Sequence, residues 1–428
     1  VVLDQLPLTV NGKLDRAALP APTTDTLRRY VPPRTDTEQQ LCSVWQDVLG
    51  VERVGVEDDF FELGGNSISG LRVLSRLREV LGAELSPRVL FDERTITGLA
   101  AAVAAESARA GGDVRAVMSR GLRDTGPLSF AQQRLWFLQE FAPEGVEYNT
   151  GIALRLTGEL RLDALNSALA ALVARHESLR TTFHLVDGNA TQTVNPAAPP
   201  PTTHIDLRDR PAAGRGAALD EVLRAEAATP FNLRTGPLSR IVLVQEDTNR
   251  HVLIWSMHHI ITDGWSVGLL IRELAELYTA GLGGTDAKLA TPSVRYLDYA
   301  DWQRTRADSQ AWTNQLHYWR AQLAGLEPLD LPTDRPRPAV RTTAGAVHTF
   351  DVPADVVHTL RTASTRHGVS LFMALTAVTQ VLLSRHTGQD DVAVGTVTSG
   401  RGRPELQNLI GFLVNTLVLR SRIGREDS

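Results

Sequence analysis

Two histidines, an aspartate and a glycine fall within seven residues of one another in Met257-His258-His259-Ile260-Ile261-Thr262-Asp263-Gly264-Trp265-Ser266. Neutral imidazole takes up a proton near neutral pH, so a histidine here can serve as a general base. Asp263 can carry charge for that chemistry or simply cap a following helix. Ser67, behind Gly64 and Gly65, is a second candidate. A hydroxyl at the start of a helix can receive a phosphate-linked group, because the positive end of the dipole favours an incoming anion. Capping is the everyday role of serine at such a place, and the residues alone leave both readings open.

These side chains need elements to hold them. His251 to Ser256 is rich in β-branched and aromatic residues and reads as a strand. Val267, Leu270, Ile271, Leu274, Leu277 and Tyr278 recur at helical spacing, so Trp265 to about Ala280 reads as a helix. Alternation along a strand sends neighbours to opposite faces, so one histidine of the pair faces a cavity and the other is packed. Around Ser67, the stripes Leu41, Val44, Trp45, Val48, Leu49 and Ile68, Leu71, Leu74, Leu77, Leu81 predict a small helical bundle over residues 35–105. Cys42 falls in the first of these helices, as packing. Prolines 22, 32 and 33 mark a linker over 21–34, and loss of periodicity with Gly111, Gly112, Gly121 and Gly126 marks another over 106–126.

From Leu128 the pattern is α/β. Ser129 is placed to cap a helix in which Phe130, Arg134, Phe137 and Leu138 share spacing. Leu162 to Arg175 is a second helix, turning to strand by Phe183, and strands follow over 238–244 and 252–256. Near the start, Asn11-Gly12 before Lys13 is a hairpin signal, since both turn residues need positive φ.

The totals exclude several classes. The chain has 428 residues, more than one domain's worth. A net charge of -5 gives no support to nucleic-acid binding. The single cysteine, Cys42, rules out an internal disulfide and fits a reducing, cytoplasmic setting. The longest apolar run, Leu371 to Leu383, is broken by Thr376, Thr379 and Gln380, so no membrane span is expected. No metal site is expected either. The opening Val1-Val2-Leu3 reads as the interior of something longer. Among 44 basic residues only Lys13 and Lys288 are lysines, a weak pointer to a need for a compact ammonium at Lys13.

Several strings resemble segments of nonribosomal peptide synthetases. Asn11-Gly12-Lys13-Leu14-Asp15-Arg16 is similar to the end of an adenylation domain, where the lysine contacts the acyl-adenylate. Without an ATP site in this tail, Lys13 is expected to be idle. Asp58-Asp59-Phe60-Phe61-Glu62-Leu63-Gly64-Gly65-Asn66-Ser67-Ile68 resembles the peptidyl carrier signature, in which the serine receives 4′-phosphopantetheine from coenzyme A. Asn66 departs mildly from the more usual His or Asp. The strings at 129–138, 175–183, 258–264, 296–302, 397–401 and 410–416 resemble, in order, segments of the condensation domain.

The resemblance implies an all-α four-helix carrier followed by an α/β chloramphenicol-acetyltransferase-like condensation domain of two lobes around a channel. The expected division is 1–20 adenylation remnant, 21–34 linker, 35–105 carrier, 106–126 linker and 127–428 condensation domain, its second lobe incomplete at the C-terminus. It also implies that His259 faces the channel and His258 is structural. Asp263 pairs with Arg401, and Gly264 keeps the turn free of a side chain. Ser67 bears the arm. Implied partners are a phosphopantetheinyl transferase with coenzyme A, an upstream adenylation domain, a downstream acceptor carrier and aminoacyl or peptidyl thioesters. The His-His form argues against heterocyclisation, and the absence of an epimerisation domain between carrier and condensation domain points to an L-configured donor. A competing reading is a carrier and docking fragment, inactive because the second lobe is partial. A weaker one is a free-standing acyltransferase using coenzyme A thioesters, against which the fused carrier argues.

Overall fold

A computed structural model describes residues 30–65, 67–81, 85, 89–109, 118, 120–336 and 345–424. Lys13 and Asn66 therefore lie outside the described residues. The chain divides into two compact units, Val1–Arg115 and Ala116–Ser428.

In the first unit, α1 (Asp36–Leu49), α2 (Ser67–Leu81), α3 (Val89–Asp92) and α4 (Ile96–Arg109) surround one core. Thr35 and Glu38 form a reciprocal capping box at the start of α1, and Gly50 ends it in the left-handed region. Leu41, Val44 and Trp45 of α1 meet Val73 and Leu77 of α2 and Ile96 and Leu99 of α4, and all are buried. Phe60, from the loop before α2, packs edge-on to Trp45 with centroids 5.0 Å apart. Helix α4 runs four residues into the stretch expected to be linker. The helix is alanine-rich, and alanine sustains a helix without an apolar stripe.

The second unit begins with β1 (Thr125–Pro127), α5 (Phe130–Phe141), β2 (Asn149–Thr157) and α6 (Leu162–Arg175). Then come β3 (Thr181–Val186), β4 (Asn189–Val194), β5 (Thr202–Asp206), α7 (Ala212–Ala228), β6 (Ser239–Asp247) and β7 (Arg250–His258). A short 3₁₀ turn, His259–Ile261, leads into α8 (Gly264–Gly283), followed by α9 (Tyr296–Thr305) and α10 (Gln310–Leu323). The described chain closes with α11 (Ala354–Arg366), α12 (Leu371–Thr387), β8 (Asp391–Thr398), α13 (Pro404–Gln407) and β9 (Asn415–Arg422).

The main sheet has the order β2-β7-β6-β5, with β5 parallel to β6 and the other pairs antiparallel. Alternation splits its two central strands between two cores. Ile241, Leu243, Leu253, Trp255 and Met257 face one side, with α6 and α8. Val242, Val244, Val252 and Ile254 face the other, with Ala218 and Leu219 of α7. Covered on both faces, β7 reads as a continuous apolar run rather than an alternating one. Two smaller sheets, β1-β4-β3 and β8-β9, complete the unit.

Helix α5 departs from expectation. Ser129 does cap it, in a box with Gln132. Its buried positions, however, are Gln132, Leu135 and Gln139, whereas Phe137 and Phe141 are exposed. Helical spacing alone allowed either stripe, and packing against the neighbouring elements selected the one with two glutamines. Helix α12 likewise leaves Phe372, Leu375, Val378 and Leu382 exposed. Among the described residues no single helix is long and apolar enough to cross a membrane. None of them forms a group of three or more His, Cys, Asp or Glu suited to a metal ion.

Candidate functional site

The histidine pair straddles the end of β7, and the two rings have opposite surroundings. His258, the last residue of the strand, is buried, and its Nδ1 accepts the backbone N–H of Ile260 at 3.0 Å. The proton of the neutral ring is therefore on Nε2, which has no hydrogen-bond partner among the described residues. Tyr148 and Phe231 flank the ring, with centroids 6.4 and 6.3 Å away. Burial, with a smaller contribution from the charge of His259, pulls the imidazole from 6.5 down to about 4. His258 is thus neutral at neutral pH and serves as a helix-turn cap.

That shift has a sign for stability. Between pH 6.5 and 4 the unfolded chain binds a proton that the folded chain refuses, so stability falls as pH falls through this window. The full cost is on the order of 3 kcal/mol. His258→Asn keeps an acceptor for Ile260 N–H without a titrating ring. Urea unfolding at about pH 7 and about pH 4.5 is expected to show a smaller loss of stability on acidification in this variant than in the wild type.

His259 is only half-buried. Its backbone N–H donates to the Tyr148 carbonyl at 2.8 Å, and its Nδ1 lies 2.6 Å from the Thr262 carbonyl oxygen. A carbonyl oxygen only accepts, so Nδ1 carries the proton of the neutral ring and Nε2 is left with its lone pair. Among the described residues Nε2 has no hydrogen-bond partner. The Phe412 ring packs edge-on to this imidazole with centroids 4.7 Å apart. This arrangement holds one ring nitrogen on the backbone and leaves the other able to accept a hydrogen bond or a proton.

Asp263 caps α8, its Oδ1 accepting the Ser266 N–H at 2.8 Å. Capping is only part of its work. Arg401 Nη2 approaches both carboxylate oxygens at 3.0 Å, and the Leu413 N–H donates to Oδ2 at 3.2 Å. Both partners of the ion pair are buried. Arg401 Nη2 also donates to Ser266 Oγ at 2.9 Å, and its Nη1 donates to the Leu406 carbonyl at 2.7 Å and to the Leu409 carbonyl. Burial lowers the Arg401 pKa, while Asp263 opposes that change. Removing one partner of such a pair strands the other charge in the interior, which costs about 3–5 kcal/mol. Arg401→Leu is therefore expected to destabilise the second unit by about that amount in denaturant unfolding. A variant as stable as the wild type would show that the pair holds nothing together.

Gly264 stands in open space. It is the first residue of α8, its φ is not left-handed, and a Cβ there would meet no atom within 4 Å. Neither the turn nor the packing of the chain on itself requires glycine. Gly411, by contrast, is a glycine that packing demands: a Cβ would lie 2.0 Å from the Tyr296 ring. Behind the site, Glu273 of α8 accepts from Arg175 Nε at 2.8 Å and bonds His176 Nε2 at 2.7 Å. Burial alone would raise the Glu273 carboxyl, but the hydrogen bond and charge of His176, with Arg175, outweigh it and hold it below its usual value.

The structure therefore brings His259, Asp263 and Arg401 into one neighbourhood, with His258 on the strand behind. It also recruits residues to which the sequence assigned no role: Ser266, Tyr296 and Phe412. Ser266 follows the Asp263 cap by three residues, and that spacing is the one signal that could have marked it.

Ser67 belongs to the first unit, as the first residue of α2. The loop before it is drawn tight: Gly64 has φ +94°, Gly65 N–H donates to the Phe60 carbonyl at 2.9 Å, and a Cβ on Gly65 would lie 2.4 Å from the Phe60 ring. A glycine-only approach that delivers a serine to the N-terminus of a 15-residue helix fits a phosphate-linked group. Cys42 offers no substitute thiol. It is buried, and burial, with Glu38 and Asp58 nearby, pushes it up to about 11.

Comparison with known proteins gives these sites a family. Residues 122–428 match the condensation domain family model, and residues 39–103 match the phosphopantetheine attachment site model. The chain is 46% identical over 433 residues to a linear gramicidin synthase of Brevibacillus parabrevis, covering 100% of this chain and 8% of that protein. It is 38% identical over 425 residues to a surfactin synthase of Bacillus subtilis (strain 168), covering 98% of this chain and 11% of that protein. The chain thus spans a small fraction of the curated relatives it matches. Among solved structures, the first condensation domain of the calcium-dependent antibiotic synthetase, in complex with a substrate analogue, is 25% identical, with TM-score 0.60 and 71% of each chain covered. The X-domain from teicoplanin biosynthesis is 28% identical, with TM-score 0.65, covering 72% of this chain and 68% of that one. By the extent of these matches the chain belongs to the condensation domain family, with a phosphopantetheine attachment domain ahead of it, as a carrier-plus-condensation segment of a nonribosomal peptide synthetase.

Proposed function

We propose that Ser67 bears the 4′-phosphopantetheine arm and that His259 is the base in amide formation between a carrier-bound donor thioester and an acceptor amine. When attached, the arm supplies a thiol that holds the acyl group as a thioester. The remaining work falls to the protein's own residues. With the arm attached, His259 Nε2 would accept the proton that the amine sheds as its nitrogen bonds the acyl carbon, and would hand it to the sulfur as the carbon–sulfur bond breaks and the arm leaves as a thiol. The observation that carries this reading is the 2.6 Å contact of Nδ1 with the Thr262 carbonyl, which reserves Nε2 for that proton. Holding amine and carbonyl about 3–3.5 Å apart would supply much of the remaining acceleration.

The reading calls for a phosphopantetheinyl transferase with coenzyme A, an upstream adenylation domain, a downstream acceptor carrier and a cytoplasmic setting. The upstream residue would be delivered in the L configuration. The test is reconstitution. The chain is loaded with an aminoacyl arm, an aminoacyl acceptor carrier is supplied, and the acceptor is followed by mass spectrometry. A dipeptidyl acceptor supports the reading. A fully loaded, folded chain that forms none favours the inactive carrier and docking reading.

A further inference from the structure

The Thr262 carbonyl holds the His259 ring from one side, and Phe412 meets it from another. Phe412 is buried, and its ring meets the imidazole at an interplanar angle of 62°. That is the edge-to-face arrangement aromatic rings favour. The backbone around Phe412 is firmly tied. The Ile410 carbonyl accepts from Ser178 Oγ at 2.7 Å. The Gly411 N–H donates to Ser266 Oγ at 3.1 Å, and its carbonyl accepts from the same hydroxyl at 3.0 Å. The Phe412 carbonyl accepts from Tyr296 Oη, which lies 2.9 Å from Ser129 Oγ, the cap of α5. The Leu413 N–H donates to Asp263.

Four consecutive residues are thus fastened to side chains from α8 and its cap, from α9 and from the turn after α6. Burying the apolar side chains of Ile410, Phe412 and Leu413 does not require that precision. Burial also holds the Tyr296 phenol well above its usual pKa, so it stays a donor to Phe412. An imidazole, by contrast, has a broad, two-fold terminal torsion and can flip or swing unless something prevents it.

We propose that Phe412 is a positioning residue for His259: its ring bars the flipped and swung-out imidazole orientations, so that Nδ1–H stays on the Thr262 carbonyl and Nε2 stays bare. The inference rests on the reading of His259 as the base, and its test separates the two. Nitrogen-15 NMR of the full, histidine-labelled chain reports which ring nitrogen is protonated, and His259→Ala identifies the resonance. Of the two neutral tautomers, only the Nδ1–H form is expected in the wild type. In Phe412→Ala a mixture with the Nε2–H form is expected, with kcat down by about 10–10²-fold and KM within about twofold. Phe412→Leu keeps most of the buried volume and guards against misfolding in the alanine variant. It is expected to show the same mixture and a smaller loss, about threefold. Folded Phe412 variants with the wild-type tautomer and wild-type kcat overturn the inference, even where His259→Ala abolishes the reaction. If His259→Ala leaves the reaction intact, the base reading falls, and a tautomer change in the Phe412 variants still supports the positioning.

Discussion

His259→Ala is expected to lower the rate of amide formation by about 10²–10⁴-fold, the range a general base contributes. The protein should stay folded, because the ring is only half-buried and its loss strands no charge in the interior. The quantity to measure is the single-turnover rate between a loaded Ser67 arm and a loaded acceptor carrier, so that arm delivery and product release do not mask the chemical step. His259→Gln sharpens the result. A glutamine amide can donate and accept hydrogen bonds but takes up no proton at neutral pH. A base role leaves the glutamine variant as slow as the alanine variant. If glutamine restores most of the rate, the ring acts by hydrogen bonding to developing charge, and the contact of Nδ1 with the Thr262 carbonyl only orients it.

Ser67→Ala is expected to remove loading altogether. Incubated with coenzyme A and a phosphopantetheinyl transferase, the wild-type chain should gain the mass of one 4′-phosphopantetheine, and the variant none. Loss of a serine at a helix start costs about 1 kcal/mol, well below what would unfold the bundle. The core of the first unit, built on Trp45, Phe60 and Leu77, is untouched. A failure to load therefore reports on the hydroxyl and not on the fold. The buried Cys42, its thiol pushed up to about 11, cannot take over by direct acylation. A Ser67→Ala chain that still gained the arm would move the attachment site elsewhere. One that still formed amide without an arm would remove the carrier from the reaction.

The two effects differ in kind. One removes delivery of the acyl group, and the other slows its transfer. Product from the Ser67 variant should return when the donor is offered on a separate loaded carrier at high concentration, whereas product from the His259 variant should not.

Much of this protein was legible in its sequence. Strand β7 and helix α8 follow from the β-branched run before His258 and the helical stripe after Gly264, and α6 was readable from end to end over Leu162–Arg175. Periodicity and capping act between residues a few positions apart, so the order of residues carries them directly. The resemblance supplied Ser67, His259, Asp263 and Arg401, and the structure places the last three together. The sequence was misleading where one local pattern admitted two outcomes. The helical spacing of α5 allowed an aromatic stripe, but Gln132, Leu135 and Gln139 are the buried positions.

What the sequence by itself determined was the set of elements, the division into a helical unit and an α/β unit, and the residue types available for chemistry. What only the tertiary structure decided was which of them meet. Arg401 reaches Asp263 across 138 residues, Leu413 across 150, and Gly411 reaches Ser266 across 145. Phe412 reaches His259 in the same way. No periodicity encodes such contacts. They arise when burial of the sheet and its helices brings distant backbone groups together and leaves each buried charge and N–H in need of a partner.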